Sequence, residues 1–309
     1  MSDYNIIIYI LEDDKNMNSS FYYDLNNLLQ KDLYIPINIK YHAHYFFGNL
    51  LMTISEDKML TKKIKEVPLI YNDIKKDMTK FYNSHYKKGK KNIFIYGGHS
   101  NYLFNTKHNI KDIHKKTSEP VTTDIFEDFH DIHLIILDAC YTSFTDLLNT
   151  LPNKTKYMLG CQTPGPNYGY ISKDFLGILN SNMTDVDKYK TLIDRFIERN
   201  ETRSLPYKKF NYRTDGVLID MDRYNDMMEC YNDMINNNML EKNNKCKVED
   251  YSGYNYYDML CSIKNNNINS SKLIEKINSC ILYSRMNKLS RKFYNNKNKK
   301  LTGLSIGIL

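Results

Sequence analysis

Three short apolar runs constrain this chain more than anything else in it: Tyr4 to Leu11, Ile93 to Tyr96 and Leu134 to Leu137. Each is continuous, β-branched or aromatic, and too short for a buried helix. Such runs are expected where a strand is covered on both faces, as in a parallel sheet flanked by helices. The third run ends abruptly at Asp138-Ala139-Cys140 and turns polar at Tyr141-Thr142-Ser143. The second ends at Gly97-Gly98-His99-Ser100. In open α/β sheets, ligands bind and chemistry occurs beyond the carboxyl ends of the strands. A thiol and an imidazole at two such tips are therefore the first candidates for chemistry.

The rest of the chain fits the same architecture. Tyr4–Leu11 breaks into the acidic turn Glu12-Asp13-Asp14. A helix capped by Ser19 or Ser20 follows, with Phe21, Leu25, Leu28 and Leu29 on one face. Ile37 to Tyr41 reads as a second strand, and 48–67 as a hairpin or loop. A helix is expected over Tyr71 to Tyr86, with a basic exit at Lys87 to Lys91, an ordinary helix end. Further helices are expected at Asp124 to Phe129, Thr145 to Leu151, Ile171 to Leu179, Asp185 to Arg199 and Lys272 to Tyr283. Strands are expected at Lys156 to Cys161, Gly216 to Asp220 and Leu301 to Leu309. Alternating strand and helix make this an α/β chain with a mostly parallel central sheet. One domain over 1–309 is the economical division, with 221–300 mainly helical and a final strand at 301–309.

Composition excludes more than it assigns. The net charge of +7 is too small to claim nucleic acid. Its basic excess is local, in Arg285 to Lys300, where Tyr283, Phe293 and Tyr294 interleave with the charges, and a solvated basic helix accounts for that stretch. No window is apolar enough for a spanning helix, and the N-terminus lacks the pattern of a signal peptide. The 6 cysteines contain no C-x-x-C pair. Free thiols in a reducing, cytoplasmic or otherwise intracellular setting are the expectation. His42 and His44 have no Cys or carboxylate nearby in sequence, so no zinc site is expected there.

The strand tips carry the chemistry. Side chains alternate along a strand, which sets Asp138 and Cys140 on one side and Ala139 on the other. Asp138 would then line a pocket beside the thiol, suited to a cationic side chain. If the two tips are neighbours, His99 can take the proton of Cys140 and leave a thiolate nucleophile. The backbone N–H groups of Cys140 and Ser100 are the candidate oxyanion donors. The pattern reads as acyl transfer, most simply peptide hydrolysis. A cysteine ending a buried strand is also an ordinary small core residue, and the residues by themselves leave both readings open.

Several stretches, taken in order, resemble the clostripain family of cysteine peptidases. They are the first strand with Asp13, Leu137-Asp138-Ala139-Cys140, and the strand ending at Cys161 with Pro164-Gly165 and Gly169-Tyr170. Val217-Leu218-Ile219-Asp220 and Gly303-Leu304-Ser305-Ile306 complete the series. The resemblance implies a caspase-like α/β/α sandwich and a dyad of Cys140 and His99. It further implies cleavage after Arg or Lys with Asp138 in the specificity pocket, and a protein or peptide as substrate. Some members cut themselves, which points to Lys107, Lys111, Lys115 and Lys116 between the two tips. Some depend on calcium; no other cofactor is implied. The chain departs from the family in having Ser100 where Gly follows the catalytic histidine. It also has no acid in Pro166-Asn167-Tyr168, the nearest being Asp174. These departures keep a second function class in play, a weak or inactive scaffold acting through protein contacts. Oligomeric state is not readable from the sequence.

Overall fold

The computed structural model describes residues 3–12, 37–41, 50–55, 58–63, 71–98, 124–163, 169–202, 213–236, 246–251, 254–265, 271–296 and 301–308. The strands are β1 (Tyr4–Glu12), β2 (Ile37–Tyr41), β3 (Leu50–Ser55), β4 (Lys58–Lys63), β5 (Lys91–Gly98) and β6 (Leu134–Asp138). They continue as β7 (Tyr157–Gly160), β8 (Asp215–Asp220), β9 (Lys247–Tyr251), β10 (Tyr254–Asp258), β11 (Ile281–Met286) and β12 (Ser305–Ile308). The helices are α1 (Tyr71–His85), α2 (Thr145–Leu148), α3 (Phe175–Leu179), α4 (Asp185–Thr202), α5 (Met221–Asn236), α6 (Met259–Asn265), α7 (Ser271–Cys280) and α8 (Lys288–Asn296).

Nine strands form one sheet in the order β11-β8-β7-β6-β5-β1-β2-β3-β4, and β12-β10-β9 form a small second sheet. The central strands β2, β1, β5, β6 and β7 pair in parallel. Antiparallel strands close both edges. The three apolar runs became β1, β5 and β6, side by side at the centre. Alternation along them sorts the core into two layers. Phe94, Tyr96, Ile135 and Leu137 face α1, α5 and α7. Ile93, Ile95, Leu134 and Ile136 face α3 and α4. Helices thus cover both faces, which is why these strands read as unbroken hydrophobic runs.

The structure departs from the sequence expectations at several places. Asp124 to Phe129 is a hydrogen-bonded turn, not a helix, with Glu127 N–H on the Asp124 carbonyl and Phe129 N–H on that of Phe126. The helix expected over Lys272 to Tyr283 stops at Cys280, and Ile281–Met286 instead pairs with β8 as an edge strand. The helical 221–300 region also supplies β9 and β10. Cys246 and Cys261, expected to be free, form a disulfide with Cα atoms 5.7 Å apart. The β9–β10 hairpin folds the chain back on itself, which brings two distant cysteines within bridging range. The cap at Ser19 or Ser20, Asp13, His42 and His44 lie outside the described residues.

The opposite end of the sheet from the candidate site is tied by one carboxylate. Asp185, in the first turn of α4, accepts bonds from the Tyr4 hydroxyl (2.6 Å), Lys91 Nζ (2.8 Å) and His133 Nε2 (2.9 Å). Burial pushes its pKa up, but Lys91, Tyr4 and His133 outweigh that and hold it at about 2. Burial lowers the pKa of His133 despite Asp185, so at neutral pH an uncharged imidazole donates the bond. A depressed carboxylate pKa stabilises the fold above its unfolded value of roughly 4, and the gain is lost as pH falls through about 2. Asp185→Asn is therefore expected to cost about 1–2 kcal/mol at pH 7 and almost nothing near pH 2. Urea unfolding at both pH values measures the difference.

Candidate active site

β6 delivers Asp138 and Cys140 to the tip of the central sheet. Its register with β5 runs from Ile93 beside Leu134 to Gly97 beside Asp138. The strand containing the histidine stretch is thus the immediate neighbour of the strand containing the cysteine. His99 and Ser100, the two residues after Gly98, lie outside the described residues, as do the lysines between 101 and 123 and the Pro164–Tyr168 segment.

Cys140 is partly buried and sits in a turn, not on the strand. Tyr141 is the one non-glycine among the described residues with positive φ, at 54°. That left-handed conformation is uncommon outside glycine and costs free energy, and such residues cluster at functional sites. Two hydrogen bonds to the exit of β7 hold it. The Tyr141 N–H donates to the Thr163 carbonyl at 3.2 Å, and the Ser143 N–H to the Cys161 carbonyl at 2.9 Å. Thr142 Oγ1 adds a crossed pair, donating to the Leu137 carbonyl at 3.2 Å and accepting the Cys161 N–H at 3.1 Å. The Tyr141 N–H is thereby committed within the protein.

The turn also changes which way the two residues face. Strand alternation would set Asp138 and Cys140 on one side, but β6 ends at Asp138. Cys140 packs against the α1 and α5 layer. The carboxylate of Asp138 accepts the N–H of Tyr170 at 3.1 Å, and Tyr170 belongs to the α3 and α4 layer. A period of two holds only while the backbone stays extended, and here it leaves the strand at Ala139, before Cys140.

Asp138 is 7% exposed and closely enclosed. Gly169 lies directly against its carboxylate, so near that a Cβ at 169 would overlap it. Tyr170 locks this contact from behind, donating through its hydroxyl to the Gly160 carbonyl at 2.8 Å and stacking on Phe196 with ring centres 4.1 Å apart. Gly169→Ala is expected to destabilise the fold by about 1–3 kcal/mol, as overpacking does. Thermal unfolding measures the loss.

Sequence reasoning did not find the buried polar frame beneath the tip. Asp215 accepts from the N–H groups of Gln162 (2.8 Å) and Thr163 (2.9 Å) and from the Thr163 hydroxyl. Asp258 accepts from Gln162 Nε2 (2.9 Å), Cys261 N–H (2.9 Å), Thr302 N–H (2.7 Å) and the Thr302 hydroxyl (2.9 Å). Gln162 Oε1 in turn accepts the Gly303 N–H at 3.0 Å. Burial pushes both carboxyl pKa values above the ordinary range, and the donors around each act against it. The signal available in the sequence was slight, an acid at each boundary of an apolar run. Further along the tip, burial alone brings Asp146 to about 6.

Among the described residues no group of three or more His, Cys, Asp or Glu is arranged to hold a metal ion, and no helix is long and apolar enough to cross a membrane.

No family profile matches the chain, and no curated protein matches it in sequence. Solved structures do match. A secreted C11 cysteine protease from Bacteroides thetaiotaomicron, determined with an irreversible peptide inhibitor, has TM-score 0.67 over 100% of this chain and 93% of its own, at 12% identity. The fold is that of the C11 cysteine proteases. An inactive zymogen C11 protease from Parabacteroides distasonis gives TM-score 0.67 over 100% of this chain and 92% of its own, at 11% identity. The protease named iotapain from B. thetaiotaomicron gives 0.63 over 99% and 93%, at 14% identity. The C11 fold extends through the strands after β8 as well, which bears out the caspase-like α/β/α sandwich that the motifs implied.

Proposed function

We propose that this chain is a clostripain-like cysteine endopeptidase that cleaves peptide bonds after Arg or Lys, with Cys140 as nucleophile and His99 as its base. The observation that carries the proposal is the thiol itself. Cys140 stands partly buried in a left-handed turn at the tip of a central strand. The neighbouring strand ends one residue before the histidine. Buried structural thiols look different. Cys161 is fully enclosed and burial pushes its pKa well above the ordinary value, which keeps a thiol inert.

The chemistry follows from those groups. His99 takes the Sγ proton, and the thiolate adds to the substrate carbonyl carbon. The N–H groups of Cys140 and Ser100 receive the oxyanion. Collapse breaks the C–N bond, His99 protonates the departing amine, and a thioester remains. Water then gives a proton to His99 and adds to the thioester, releasing the carboxylic acid and regenerating the thiol. Asp138 supplies the negative charge for a basic side chain.

A second reading draws on the enclosure of Asp138 by Gly169 and Tyr170. It is a resting form whose pocket opens after self-cleavage at Lys107, Lys111, Lys115 or Lys116, and its limiting case is an inactive scaffold. The Cys246–Cys261 bond supports an oxidising compartment over a reducing one.

One experiment tests the main reading. The protein is treated with a Lys- or Arg-directed covalent inhibitor, and modified residues are located by mass spectrometry. Labelling of Cys140 that is lost in His99→Ala supports the peptidase. Equal labelling of all free cysteines, or none after prolonged incubation with a chain that stays a single band, leaves the scaffold.

A further inference from the structure

Asp215 begins β8 beside the exit of β7 and has no part in the chemistry above. Its carboxylate is 2% exposed, and it takes all three donors that the 162–163 turn presents to it: two backbone N–H groups and the Thr163 hydroxyl. A buried acceptor enclosed this way orients its donors, because each would be left unsatisfied in another position. The same turn carries the Thr163 carbonyl, the acceptor for the Tyr141 N–H at 3.2 Å. That bond sits one residue beyond Cys140, on the residue whose φ of 54° reverses the chain. Cys161 Sγ lies 3.0 Å from the Ala139 carbonyl and 3.1 Å from that of Thr163, and its single S–H proton can serve only one of them at a time. The residues on either side of Cys140 are therefore both held from the 161–163 segment, which Asp215 anchors.

We propose that Asp215 is a positioning residue for Cys140: its bonds to Gln162 and Thr163 place the Thr163 carbonyl where it holds Tyr141 in the left-handed form that presents the thiol. The inference rests on Cys140 being the reactive thiol. It assigns the specificity of the turn to a carboxylate on a different strand, about 75 residues further along the chain. Asp215 touches neither the substrate nor the sulfur.

Full-length Asp215→Asn and Thr163→Val, with Thr163→Ser as the conservative control, test it by two readouts. The first is the rate at which iodoacetamide alkylates Cys140 at fixed pH, followed on the Cys140 peptide by mass spectrometry; this needs no peptide hydrolysis. The second is kcat and KM on a basic peptide substrate. Asp215→Asn and Thr163→Val should each slow alkylation about tenfold and lower kcat by about 10–100-fold with KM within about twofold. Thr163→Ser, which keeps the hydroxyl, should stay within about twofold of the parent. Folded variants that lose thermal stability yet alkylate and turn over at the parent rate would overturn the proposal and leave Asp215 a purely structural residue. If Asp215→Asn does not fold, the contrast between Thr163→Val and Thr163→Ser decides. If the parent alkylates at Cys140 and the variants slow it but no peptide is cut, the positioning role stands and the peptidase reading falls.

Discussion

Cys140→Ala is expected to abolish peptide hydrolysis while leaving the fold intact. Loss of a nucleophile that acts as a unit with its base removes the covalent route entirely, so kcat should fall by at least about 10^3-fold. The structural cost should be small, under about 1 kcal/mol, for reasons visible at the tip. Cys140 is partly buried, and the substitution deletes one sulfur. The bonds that shape the turn belong to the backbones of Tyr141 and Ser143 and to the Thr142 hydroxyl, none of which changes. Hydrolysis of a basic fluorogenic peptide, read beside the unfolding midpoint, checks both halves. Retained turnover in Cys140→Ala would remove Cys140 from the mechanism.

Asp258→Ala should produce the largest loss of stability, about 3–5 kcal/mol. Its carboxylate is 1% exposed and satisfies four donors on three segments: Gln162 Nε2, the Cys261 N–H, and both the N–H and the hydroxyl of Thr302. Alanine would leave those donors buried and without their acceptor. The damage should spread along a defined line. Gln162 also receives the Gly303 N–H, and β12 is then held by Ser305 N–H on the Ser143 carbonyl and Met259 N–H on the Leu304 carbonyl. Without Asp258 the 302–308 segment should lose amide-exchange protection well before the central sheet does. Urea unfolding gives the magnitude, and exchange at Ser305 and Ile306 gives the route. Uniform loss of protection over both sheets would show that Asp258 acts on global stability and does not anchor the C-terminal strand.

The two predictions reflect how unevenly this protein can be read from its residues. Strands β1, β5 and β6 were legible because burial on both faces demands unbroken apolar runs, and the chain contains few others. Cys140 was legible because it ends one of them. Its orientation was not. Alternation set it beside Asp138, but the backbone leaves the extended state at Ala139, and the bond from Tyr141 to Thr163 that stabilises the turn joins two strands. The strand at Ile281–Met286 was misassigned for a related reason. Ile277, Cys280 and Ile281 share helical spacing, yet β8 offers an open edge whose backbone groups need partners.

The sequence by itself determined the α/β class and the central strands and singled out Cys140 as the candidate thiol, since these depend on burial and local pattern. Only the tertiary structure decided what surrounds that residue: the left-handed Tyr141, the Asp215 and Asp258 anchors, the closure of Gly169 over Asp138, and the Cys246–Cys261 pairing. The physical reason is common to all four. Each depends on segments that only the fold brings together, and those partners have no local periodicity to betray them.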